Sequence, residues 1–150
     1  LLQCFDYIFN QIPGSDYPPI LKMNSIQQKT IIDGRGGSLC FEPIEVNHGQ
    51  VQALGFKIGK VAYIPDVLEI HKKSRNLILN LQYLIIDALR YRPHPSHSHL
   101  DKTLGWIKEF RPKHAILTNM HTDLDYNTIK SITPTNTRPA YDGLNFKTFE

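Results

Sequence analysis

Apolar residues in this chain fall into short blocks that stop abruptly at polar residues, and most blocks are too short for helices. Ser38 to Val46 and Val51 to Ile58 flank Asn47-His48-Gly49-Gln50, which predicts a strand–turn–strand unit. Gly59-Lys60 makes a tight turn into a further strand, Val61 to Ile64. Leu81 to Ile86 is apolar apart from Gln82, and Ala115 to Leu117 is apolar throughout, so both read as strands covered on two faces. Weaker strand patterns lie at Ile20 to Ile26, at Thr30-Ile31-Ile32 before the turn cluster Asp33-Gly34-Arg35-Gly36-Gly37, and in the tail between Arg138 and Phe149.

Helical spacing occupies the intervals. Residues 1–9 carry an amphipathic pattern, and residues 67–80 look helical with one polar face. Ser98 is suited to cap a helix from about His99 to Phe110, with Asp101 in its first turn and Leu100, Leu104, Trp106 and Ile107 at the apolar positions. Asp125 is suited to cap a short helix from Tyr126 to Ile132. Pro134 ends it, because the residue before a proline is pushed out of helical geometry. Strands come first and then alternate with helices, which predicts a mixed α/β layered fold, one domain over residues 1–150.

Composition narrows the class. With 41% hydrophobic and 21% charged residues over 150 positions, the chain fits a soluble globular domain able to bury a core. No run of about 18 apolar residues occurs, so no membrane span is expected. Leu1-Leu2-Gln3-Cys4 has no basic leader. The chain opens without Met, inside an apparent helix with no capping residue, and is expected to be cut at its N-terminus. Cys4 and Cys40 read as reduced thiols, pointing to a cytoplasmic location, and two cysteines exclude a four-cysteine zinc site. The net charge of +3 is spread out and densest at His71-Lys72-Lys73-Ser74-Arg75. That run is a solvated face or, less simply, a nucleic-acid patch, and a mild positive field favours an anionic substrate such as a phosphate ester.

Four of the apolar runs end in residues able to hold or orient a metal ion: His48, Asp66, Asp87 and His121. Strands with such tips gather them along one sheet edge, where open α/β folds keep their sites. Each residue also has a plainer reading. His48 before Gly49 is either a ligand or a turn histidine. Asp66, presented by the extended Ile64-Pro65, is a ligand whose two oxygens can bridge cations or a helix N-cap. Asp87 is a rim carboxylate or the acceptor that orients a histidine. His97 is the obvious partner and a candidate proton donor, although His94 and His99 compete within the same loop. His121 is a ligand, or is simply held by the acidic residues after it. His71 and His114 read as surface residues. No nucleophile elbow, phosphate-cradling glycine loop or dinucleotide fingerprint is present.

Together, Val46-Asn47-His48-Gly49, Ala62-Tyr63-Ile64-Pro65-Asp66-Val67, Leu84 to Tyr91, Pro93-His94-Pro95-Ser96-His97, Leu117 to Tyr126 and Pro139-Ala140-Tyr141-Asp142-Gly143 resemble the metallo-β-lactamase superfamily. The branch is that of the cyclic phosphodiesterase of phosphonate metabolism and the tRNA 3′-end processing endonuclease. The resemblance implies an αββα sandwich and two Zn or Mn ions that bind phosphoryl oxygens and generate a hydroxide. It implies His48, Asp66 and His121 as metal ligands, with Asp66 bridging. It implies His97 as proton donor oriented by Asp87, and His94 as a substrate contact. The family's His-x-His-x-Asp-His motif is absent and is expected upstream of Leu1. Three ligands shared over two ions leave each below the roughly three that catalytic zinc takes. The expectation is therefore the C-terminal part of a phosphodiesterase-like hydrolase, N-terminally truncated and impaired as it stands, with partial or no metal occupancy. The alternative is a non-catalytic remnant or interaction module. A small phosphate ester is the expected substrate and nucleic acid a weaker one. Homo-oligomers are expected through the face that truncation exposes.

Overall fold

The computed structural model describes residues 4–26 and 28–148. Its core is one mixed sheet. The strands are β1 (Thr30–Gly34), β2 (Gly37–His48), β3 (Val51–Ile58), β4 (Val61–Ile64), β5 (Glu69–Ile70), β6 (Tyr83–Asp87), β7 (His114–Thr118) and β8 (Thr137–Pro139). They lie in the order β1-β2-β3-β4-β6-β7-β8, with β5 on β2. At 12 residues, β2 is long enough to hold β1 and β5 at different points of one edge. Phe41 pairs with Thr30 on that edge and with Ile58 of β3 on the other, while Val46 pairs with Ile70 and with Ala53. The meander β2-β3-β4 turns at Gly49-Gln50 and Gly59-Lys60, and both glycines have positive φ, +67° and +56°. From β4 onward the pairing is parallel, through β6 and β7 to β8.

Parallel neighbours need crossovers, and helices supply two of them. Helix α2 (Leu100–Phe110) joins β6 to β7, and α3 (Tyr126–Ile132) joins β7 to β8; a short α1 covers Asp6–Phe9. The sheet face carrying Ile44, Val46, Ala62, Ile64, Leu84, Ile86, Ala115 and Leu117 is buried together with Trp106, Ile107 and Phe110 of α2. Complete burial of one such large side chain contributes about 1.5–3 kcal/mol. The other face is more open at its antiparallel end. Register places Leu39, Phe41, Pro43, Leu54, Phe56 and Tyr63 on it, with Leu39 53% and Tyr63 47% exposed.

The expected strands in β2, β3, β4, β6 and β7 and the helices α2 and α3 form as read, with ends shifted by a residue or two. Asp125 caps α3, its carboxylate accepting the Thr128 N–H. Three expectations need correction. The described part of Ile20 to Ile26 forms no strand. Residues 67–80 form β5 and a 3₁₀ segment, Lys72–Ile78, because the free edge of β2 captures them: His71 N–H donates to Glu45 C=O and Glu45 N–H to Ser74 Oγ. Ser98 does not cap α2; it is buried and donates to Asp87 C=O, and His99 takes the cap position with no side-chain bond. Of the N-terminal helix, residues 1–3 lie outside the described residues. The tail strand shrinks to β8. Cys4 and Cys40 are both free. Among the described residues no helix is long and apolar enough to cross a membrane.

Candidate metal centre

Two antiparallel steps, β2 to β3 and β3 to β4, bring β2 and β4 into the same direction, and β6 and β7 run parallel to β4. The C-terminal ends of β2, β4, β6 and β7 therefore lie on one side of the sheet. His48 closes β2, Pro65-Asp66 follow β4, Asp87 closes β6, and Asn119 follows β7. The loop between β6 and α2 then folds over this edge.

Gly49 lets that loop approach. A Cβ on Gly49 would lie 3.0 Å from Ser96 Cβ and 3.2 Å from Pro95 C=O. The close approach sets the His48 and His97 rings edge to face, with centroids 4.4 Å apart, and His94 stands 5.3 Å from His97. One ligand atom from each of His48, Asp66 and His97 lies within 4.8 Å of the others. His48 Nδ1 is buried and has no hydrogen-bond partner among the described residues. A buried polar atom left unpaired costs about 1–3 kcal/mol, which a cation or a bridging water at the cluster would offset. Two imidazoles and a carboxylate are the donor set of a zinc- or manganese-type ion, so the residues present fit such a group.

Behind the cluster, Asp87 is fully buried and densely bonded. Its Oδ2 lies 2.8 Å from His97 Nδ1 and accepts the Val67 N–H at 3.3 Å. Its backbone C=O accepts from Ser98 Oγ at 2.8 Å and Thr103 Oγ1 at 2.6 Å. Burial pushes its carboxyl up from the usual carboxylate range, against the opposing pull of the His97 bond. With Nδ1 engaged, Nε2 is the His97 ring atom left for the cluster. His94 is held below its usual range by desolvation, then by electrostatic repulsion from Arg90, His97 and His48. Arg90 itself braces the loop, donating to Arg92 C=O and Pro93 C=O.

Of the sequence candidates, His48, Asp66, His97, Asp87 and His94 converge. His121 stands apart. Its backbone N–H donates to Leu89 C=O at 2.7 Å, but its exposed ring meets Asp123 at 3.1 Å and is not in the ligand group among the described residues. Sequence reasoning passed over Asn119, whose amide reaches Pro65, Asp87 and His97. The one signal it offers is an asparagine directly after a buried strand, a residue type that tolerates positive φ.

Residues 3–120 match the β-lactamase superfamily domain. The chain belongs to this family. Its fold matches a diphosphatase of the PhnP family with a TM-score of 0.83 and 28% identity, over 99% of this chain and 54% of that one. The metallo-β-lactamase fold protein YhfI of Bacillus subtilis matches with a TM-score of 0.69 at 14% identity, over 95% of this chain and 60% of that one. The short form of human tRNase Z matches with a TM-score of 0.55 at 15% identity, over 71% of this chain and 42% of that one. Both of the latter speak to fold alone. An octanoyltransferase of Porphyromonas gingivalis is 29% identical over 143 residues, 92% of this chain but 28% of that protein. The chain thus spans about half the length of the diphosphatase and under a third of the octanoyltransferase. The fold is the α/β fold of the metallo-β-lactamase superfamily.

Proposed function

We propose that this chain supplies one edge of a divalent-metal site in a hydrolase of phosphate esters. The observation that carries the reading is the convergence of His48, Asp66 and His97, with ligand atoms within 4.8 Å, on separate elements. Similarity to a PhnP-family diphosphatase supports the phosphate class. A bound Zn or Mn ion would supply Lewis-acid polarisation of a phosphoryl oxygen and an acidified water. His48 and Asp66 would hold the ion. His97, with its Nδ1–H held by Asp87, gives a proton from Nε2 of its imidazolium form to the leaving oxygen and so returns to the Nδ1–H tautomer. His94 contacts the ester, and the +3 net charge favours an anionic substrate. On this reading a two-metal site draws its remaining ligands from the part of the relatives that this chain does not match. Metal binding by the chain alone is then weak, and turnover slow.

The test is a calorimetric titration of the metal-free chain with Zn and with Mn, followed by an assay on a chromogenic phosphodiester. Saturable binding is expected, weakened at least about tenfold in His48→Ala and Asp66→Asn. Absence of saturable binding, or binding indifferent to both substitutions, overturns the reading. The free thiols of Cys4 and Cys40 fit a reducing, cytoplasmic setting.

The open apolar sheet face favours self-association of the chain. Sedimentation should show a concentration-dependent dimer or larger assembly. A monomer at every concentration rules it out.

A further inference from the structure

Asn119 sits one residue past β7 with φ +60°. Its Nδ2 lies 3.3 Å from Pro65 C=O, 3.4 Å from Asp87 Oδ1 and 3.2 Å from His97 Nδ1. One amide group thus touches the residue before Asp66, the buried carboxylate, and the ring that carboxylate orients. No other described side chain is bonded to all three.

The donor inventory decides how these contacts are used. An asparagine amide has two hydrogens to give, and a backbone carbonyl and an ionised carboxylate oxygen can only accept. His97 Nδ1 lies 2.8 Å from Asp87 Oδ2, so the ring proton belongs on Nδ1, between them. A protonated Nδ1 cannot accept from Asn119. The two amide hydrogens are therefore assigned to Pro65 C=O and Asp87 Oδ1. The contact with His97 Nδ1 is then a close approach of two donors, held in place by the acceptors on either side. In the opposite tautomer Asn119 would turn to the bare Nδ1 and leave Oδ1 of the fully buried Asp87 carboxyl without this partner, an expensive exchange for a buried acceptor.

We propose that Asn119 is a positioning residue: by donating to Asp87 Oδ1 and Pro65 C=O it locks the carboxylate in the rotamer that receives the His97 Nδ1 proton, fixing that ring with Nε2 free for the cluster. The role matters for the site described above and rests on that reading for its purpose. The geometry is testable without it. The left-handed backbone at Asn119 adds a second reason for the residue type, since Asn accepts this conformation more readily than most side chains.

The experiment is histidine-ring NMR on the metal-free chain, with ring nitrogens labelled and His97 assigned through His97→Gln. The native ring is expected in the Nδ1–H tautomer with a slowly exchanging downfield proton. Asn119→Gly keeps the backbone conformation and removes the amide. It should speed exchange of that proton at least about tenfold, or lose the signal, while the thermal melt stays cooperative. Asn119→Asp, which sets an acceptor against Asp87, should do the same. A native His97 ring in the Nε2–H tautomer overturns the proposal. So does an unchanged ring proton in whichever of the two variants melts cooperatively. Metal titration of Asn119→Gly adds a second readout: affinity is expected to fall about tenfold, as for other groups that orient a ligand. Failure of the native chain to bind metal would sink the hydrolase reading and leave the ring measurement standing.

Discussion

Two histidine–aspartate pairs lie where neighbouring strands end, and they differ in almost everything but composition. In the pair after β6, His97 meets Asp87 at 2.8 Å, with the side chains 16% and 0% exposed. In the pair after β7, His121 meets Asp123 at 3.1 Å, with the side chains 61% and 44% exposed. Asp87 also accepts the Val67 N–H, and its own C=O is held by Ser98 and Thr103. Among the described residues nothing comparable braces Asp123, whose exposed carboxylate has water as an alternative partner. The same two residue types therefore make a rigid fixture in one place and a surface contact in the other. The difference comes from the strand: Asp87 is still part of β6, while Asp123 lies beyond β7 in a turn.

Removing each carboxylate breaks the comparison most sharply. Asp87→Ala removes a fully buried carboxylate that is the partner of His97, the Val67 N–H and Asn119, and should destabilise the fold by roughly 3 kcal/mol. Asp123→Ala should cost less than about 0.5 kcal/mol, as exposed pairs do. Denaturant melts of both variants measure this. Equal losses would mean that the burial contrast has no energetic content.

Gly49→Ala comes next, and acts on the first region from across the sheet. The new methyl group would meet Ser96 and Pro95 at the distances that now let the histidine loop close, and at a φ of +67° it would be strained in any case. A cost of about 1–3 kcal/mol is expected. Metal affinity should fall as well, because His48 and His97 would be pushed apart. A variant with native stability and native affinity would show that the close approach is incidental.

These contrasts also explain what could be read from the residues alone. The alternation in β2 and β3, and the apolar blocks of β4, β6 and β7, carry their own periods, so the sheet was legible. So was the Asp87–His97 pair, since a charge ending a buried strand must find a partner nearby. Residues 67–80 misled because a mixed polar and apolar run reads as a helix until a free strand edge takes it, and that edge belongs to distant β2. Ser98 misled because its hydroxyl could either accept a helix N–H as a cap or donate to a carbonyl, and in its buried position it donates to the Asp87 carbonyl. The resemblance makes both His48 and His121 ligands, and one dimension does not reveal which way a loop side chain turns after its strand ends.

The acidic residues after β7 can be assigned by their pH behaviour. Asp125 accepts the Thr128 N–H at 2.8 Å and the Thr128 hydroxyl at 2.9 Å, and these bonds hold its carboxyl below the usual carboxylate value. A lowered folded-state value means that the unfolded chain binds the proton more readily. The stabilisation is then full above the unfolded value near 3.8 and is lost as pH falls through the lower, folded one. Asp125→Ala should lower the melting temperature by a few degrees at pH 6. The gap to the native chain should close in melts carried down to about pH 2. A gap that persists there would show that the cap acts through something other than its charge.

His121→Ala carries the smallest expected effect and separates the two readings of the second region. If the side chain is a ligand of a second ion, as the family resemblance implies, its loss should weaken metal binding as much as His48→Ala does. The geometry argues otherwise. The ring is turned toward Asp123 in solvent, and the contact tying its loop to the loop after β6 is a backbone one, His121 N–H to Leu89 C=O, which alanine keeps. Stability should change by less than about 0.5 kcal/mol. The affinity of this chain for Zn or Mn should stay within about threefold of native, while His48→Ala loses at least about tenfold. Parallel losses in the two variants would mean that the loop after β7 turns inward when the ion binds, and that the pair at His121 is as much a part of the site as the pair at His97.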